Sequence, residues 1–110
     1  MPFTLGPSRR FPVCCLLTYQ WGLFEGHGTV WNFSCSGWRL SGDLPMQPEE
    51  TLSLTVTLPS EQRIEVPEAV VRWSRGQEFA VENVVITRNM HARLQHYVKR
   101  LVRERTEVIQ

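Results

Sequence analysis

The apolar residues of this chain change their spacing once, at Ile86, and that change sets the layout. Before it they recur at intervals of two. From Thr51 to Leu58, Leu52, Leu54, Val56 and Leu58 fall on one side and Thr51, Ser53, Thr55 and Thr57 on the other. That is a strand with one buried face. After Ile86, Met90, Leu94, Tyr97, Val98, Leu101 and Val102 recur at three and four, on one helical stripe, with Thr87 placed to cap it.

The same reading gives strands at Val13–Tyr19, Gly28–Phe33, Gly37–Leu40, Arg63–Trp73 and Glu78–Val85, with Pro67 at an edge or bulge. Between the first two, QWGLFEGHG reads as a turn or twisted edge because of its three glycines. SGDLPMQPEE reads as a loop with Glu49 and Glu50 solvated. Connections this short make neighbouring strands antiparallel. The fold class is therefore all-β with one helix: six antiparallel strands closing into a barrel, since closure removes edges, and a C-terminal α-helix. A chain of 110 residues is one domain's worth. Residues 1–12, with three prolines and Gly6, read as a flexible N-terminal arm; 13–105 form the domain, and Val108–Ile109 fray beyond it.

Composition narrows the function. The net charge is +1, so no global basic field advertises a nucleic-acid polymer, and any anion site must be local. Cys14, Cys15 and Cys35 form no CxxC pair and read as small apolar strand residues in a reduced compartment. His27, His91 and His96 share no metal-ligand spacing, so no metal is expected. No Ser-His-Asp set, phosphate loop or carboxylate pair supports catalysis, and the chain reads as a non-enzyme. Its first residues carry their positive charges after the apolar ones, the reverse of a secretory signal, and no apolar run is long enough for membrane insertion. The expected compartment is the cytoplasm. Trp21, Trp31, Trp38 and Trp73 read as core or rim, Trp38 being the best candidate for a base-stacking exception. The basic helix residues Arg93, His96, Lys99, Arg100, Arg103 and Arg105 read as a solubilising face.

Two local features carry chemistry: Arg9-Arg10 in the arm, and the turn Asn32-Phe33-Ser34-Cys35-Ser36-Gly37. Arginine pairs bidentately with phosphate and with guanine O6 and N7, and it stacks on bases. Asn and Ser supply short donors and acceptors for a purine edge. Gly37 lets the backbone turn sharply or a ligand approach closely. Together they suit a ligand both anionic and planar.

Asn32-x-Ser34-x-x-Gly37 resembles the (Asp/Asn)-x-Ser-x-x-Gly motif of PilZ domains, and Ala69-Val70-Val71-Arg72-Trp73 with Gly76 and Phe79-Ala80-Val81 resembles that family's late strands. The resemblance runs from about Arg9 to Arg103. It implies a receptor for cyclic di-GMP, with Arg9, Arg10, Asn32, Ser34 and Gly37 as ligand-binding residues, no other cofactor, and a downstream protein partner. Ligand-binding members carry Arg-x-x-x-Arg in the arm. Here Arg10 falls at the second position and Gly6 at the first, and a start from Arg9 puts Val13 at the second. Two functions therefore lead: a cyclic di-GMP receptor that relays the signal to a protein, and a PilZ-like adaptor that works through protein contacts alone; a third, a barrel that binds single-stranded nucleic acid through exposed tryptophans, lacks the basic groove such binding needs.

Overall fold

The computed structural model describes the backbone of residues 11–34 and 36–109 and the side chains of 13–34 and 36–103. Its elements are β1 (Phe11–Trp21), β2 (Phe24–Phe33), β3 (Gly37–Gly42), β4 (Thr51–Thr57), β5 (Arg63–Arg75), β6 (Glu78–Val85) and α1 (Arg88–Ile109). The strands close into a barrel in the order β1-β2-β3-β6-β5-β4, every pair antiparallel. The expected architecture is the observed one.

Alternation directs the core. Leu52, Leu54 and Val56 of β4 are buried, as are Ile64, Val66, Ala69 and Val71 of β5 and Phe79 and Val81 of β6. Pro67, which has no N–H to give a ladder, lies where the β4–β5 register slips, between the pairs Leu54–Val66 and Leu52–Ala69. Helix α1 begins as expected: the Thr87 hydroxyl accepts from the Met90 amide at 3.2 Å. Leu94, Tyr97 and Val98 are buried against the core. The Tyr97 ring lies 6.0 Å from that of Phe33, so the helix covers the end of the barrel at which β2 turns into β3. The helix runs on to Ile109, since nothing from Glu104 to Ile109 is a breaker.

Three expectations need correction. First, the turn expected in QWGLFEGHG is confined to two residues. β1 and β2 run on through the segment to a two-residue tip, Gly22-Leu23, with Gly22 at φ +60°. Gly26 and Gly28 are strand residues whose missing side chains make room: a Cβ on Gly26 would strike the Tyr19 ring, and one on Gly28 the Ser41 carbonyl. β1 likewise begins at Phe11, two residues before Val13. Second, the 43–50 loop keeps Glu49 exposed as expected, but Glu50 is half-buried and the loop reaches into the core. Met46 is buried in the core, Glu49 donates its amide to the Val71 carbonyl, and the Glu50 carboxylate accepts from the Gln47 amide. Third, Trp38 is fully buried, stacked at 5.4 Å on Phe33, and has no face left for a ligand. The tryptophans with large exposure are Trp31, at 50 %, and Trp73, at 39 %.

Candidate functional site

The β2–β3 turn is built from the inside. Phe33 and Trp38 flank it, stack on each other beneath it, and meet Tyr97 of the helix. Above them the Ser34 amide donates to the Gly37 carbonyl at 2.9 Å. Ser34 is only 1 % exposed. Its hydroxyl accepts from the Ser36 amide at 3.3 Å and lies 3.1 Å from the Ser36 hydroxyl. This is a local side-chain-to-backbone bond of the kind that stiffens tight turns. Ser36 in turn offers its carbonyl to the Asn83 amide of β6 at 2.8 Å. The serine is thus a structural strut of the turn.

Gly37 serves a different purpose from the one its place in a turn suggests. Its φ is not positive, and the positive-φ glycines among the described residues are Gly22 and Gly76. A Cβ on Gly37 would run into the Val81 carbonyl, so the glycine is required for β6 to lie close beside β3.

Asn32 stands on the outward side of β2, half-buried, with Arg39 of β3 as its ladder partner. Arg9, Arg10 and Cys35 lie outside the described residues. The strand that follows the arginines enters the barrel at this turn: Phe11 pairs with Phe33 and Pro12 with Asn32.

Asn83 escaped sequence reasoning. Its side-chain oxygen accepts from the Trp38 indole at 3.0 Å. An indole N–H only donates, so this bond fixes which way the amide points. The Nδ2 atom is then buried with no hydrogen-bond partner among the described residues. The available signal was a polar residue at an inward place in the alternation of β6.

Of the remaining chemistry, Cys14 is exposed and Cys15 buried; burial first, and the neighbouring Cys14 second, push the Cys15 thiol up to about 11. Among the described residues no three His, Cys, Asp or Glu cluster to hold a metal ion, and no helix is long and apolar enough to cross a membrane. Charge is divided between elements. Residues 11–87 hold nine acidic and four basic side chains, whereas 88–103 hold five basic and none acidic.

A closed antiparallel barrel sealed by one helix, with a stiff serine turn where the first strand enters, defines a small β-barrel module. The PilZ domain family model matches residues 8–100, and the chain belongs to that family. Among solved structures it is similar to the Bacillus subtilis inhibitor of motility MotI/DgrA, with a TM-score of 0.71 and 25 % identity over 86 % of this chain and 49 % of that one. It thus spans about half the length of that protein. It is also similar in fold to the PilZ domain of CeSA from a cellulose-synthesizing bacterium, with a TM-score of 0.67 and 12 % identity over 86 % of this chain and 98 % of that one. Comparison with curated protein sequences gives no match.

Proposed function

We propose that this PilZ domain is a cyclic di-GMP receptor module that passes the level of the messenger to a protein partner. Arg10 and Arg9 clamp phosphate and guanine, Asn32 and the Ser34 turn meet the guanine edge, and Gly37 holds β3 and β6 together beneath them. The observation that carries this reading is the pairing of Phe11 with Phe33 and Pro12 with Asn32. Arg10 is bonded to Phe11, so its Cα is about 3.8 Å from that of a residue facing the turn. The surface that the two arginines and the bound ligand make together is what the partner reads.

A second reading, the adaptor without nucleotide, draws on two observations: the Ser34 side chain is buried in a bond to its own turn, and Gly6 stands at the first arginine position. Titration calorimetry with cyclic di-GMP separates the two. Micromolar or tighter binding that is lost in Arg10→Ala is the receptor's result. No heat and no chemical-shift change at high ligand concentration overturns the receptor and leaves the adaptor.

A further inference from the structure

The outer wall beside the turn carries a feature that the motif does not contain. Across four strands one transverse row runs Asn32, Arg39, Ala80, Trp73, each the ladder partner of the next. Arg39 lies over the Trp73 ring, its guanidinium carbon 5.2 Å from the ring centroid. Glu78 holds it there through Nε at 2.9 Å and Nη2 at 2.8 Å. Ala80 is covered although it faces outward, while 45 % of the Arg39 side chain remains exposed.

Both exposed tryptophans sit where a strand register slips: Trp31 between Val30 and Asn32, Trp73 after Val71. Bulges re-aim side chains and are frequent beside binding sites. Here they turn indoles out of a barrel whose other interior aromatics are packed away. Trp31 is steadied by its indole N–H, which donates to the Ser41 hydroxyl at 3.0 Å.

We infer that Arg39 and Trp73 form a stacking platform for a guanine base of cyclic di-GMP, whose edge is presented to Asn32. This rests on the ligand proposed above. Adjacent strands are spaced at about 4.8 Å, so Arg39 stands one such step from Asn32 and Trp73 about three. A purine that meets Asn32 edge-on therefore extends over the guanidinium plane. A guanidinium already stacked and ion-paired loses little freedom on receiving a base, and its plane accepts a π face as an ammonium does not. The row adds to the two arginines of the arm a third, from strand β3, in a chain whose first motif position is Gly6.

The test is titration of the full chain with cyclic di-GMP, read by calorimetry and by tryptophan fluorescence. The wild type is expected to bind with quenching. Arg39→Ala and Arg39→Lys are each expected to weaken binding about ten-fold or more, the typical worth of one stacked base. Lysine keeps the charge, so its loss reads the plane. Trp73→Leu is expected to weaken binding and remove most of the quenching. Thermal melts check each fold, and Arg39→Lys and Trp73→Leu decide the matter should Arg39→Ala fail to fold. A wild type that binds, with Arg39→Lys and Trp73→Leu binding as tightly, overturns the platform and leaves the receptor standing. A wild type that does not bind overturns both.

Discussion

The ring of Tyr19 fills the space that a side chain on Gly42 would need. The ring lies inside the barrel, edge-on to Phe79 at 5.4 Å between centroids. Its hydroxyl donates to the Leu44 carbonyl at 2.6 Å and accepts from the Leu44 amide at 2.9 Å. One side chain thus closes the barrel wall at β3 and ties down the loop that follows. Gly42→Ala is expected to destabilise the fold by about 1–3 kcal/mol through overpacking, measured as a lower urea midpoint. Tyr19→Phe leaves the ring in place but strips Leu44 of both bonds, at a cost of about 1–3 kcal/mol. A midpoint unchanged in both variants would show that the ring is not packed as described.

Gly37→Ala is expected to lower stability by about 1–3 kcal/mol with no ligand present, because the new Cβ meets the Val81 carbonyl. Urea unfolding of the ligand-free variant checks this. The consequence reaches function: loss of binding in this variant reports separated strands and not a missing ligand contact. A variant as stable as the wild type would instead return Gly37 to the role its place in the motif suggests, room for the ligand.

The parts of this architecture that were legible in the sequence are those whose cause is local. Leu52, Leu54 and Val56 alternate because one face of β4 is buried, and Leu94, Tyr97 and Val98 recur because one face of α1 is. The illegible parts depend on a residue far away in sequence. Gly26 reads as part of a turn and Gly28 as the border between turn and strand, because nothing near them reveals that the Tyr19 ring and the Ser41 carbonyl will occupy their side-chain space. The same holds for which tryptophans face out. Strict alternation cannot put both Val30 and Phe33 inside, and the register slip at Trp31 that reconciles them belongs to the pairing with β3. The motif of Asn32, Ser34 and Gly37 was legible as a pattern, but the packing duties of Ser34 and Gly37 were not.

Ser34 and Asn32 are expected to separate in their effects. Ser34 is buried with its hydroxyl bonded to the Ser36 amide, so Ser34→Ala costs about 1 kcal/mol of stability. Asn32 is half-buried on the outer side of β2, and Asn32→Ala is expected to cost no more than the roughly 0.5–1.5 kcal/mol of one hydrogen bond. Its effect falls on affinity for cyclic di-GMP, weakened about ten-fold by loss of the edge contact. Thermal melts and calorimetry on the two variants read both quantities. An Asn32→Ala protein that binds as tightly as the wild type removes Asn32 from the ligand's neighbours.

Alkaline pH should loosen this barrel, and Cys15 gives the reason. Its thiol is buried, and burial raises it from an ordinary value of 9.0 to about 11. The unfolded chain therefore ionises first. The contribution is full below pH 9 and is lost as pH rises through 11, a change on the order of 2 kcal/mol. Tyr19, also raised by burial, acts in the same direction, so the wild type alone cannot assign the loss. Cys15→Ala can: it keeps Tyr19 and removes the thiol. The variant is expected to be less stable than the wild type at pH 8, where it lacks a buried side chain, and the gap between their urea midpoints should narrow between pH 9 and 11. A gap constant over that range would mean that the Cys15 thiol ionises as readily in the folded protein as in the unfolded chain, and would overturn the assignment to Cys15.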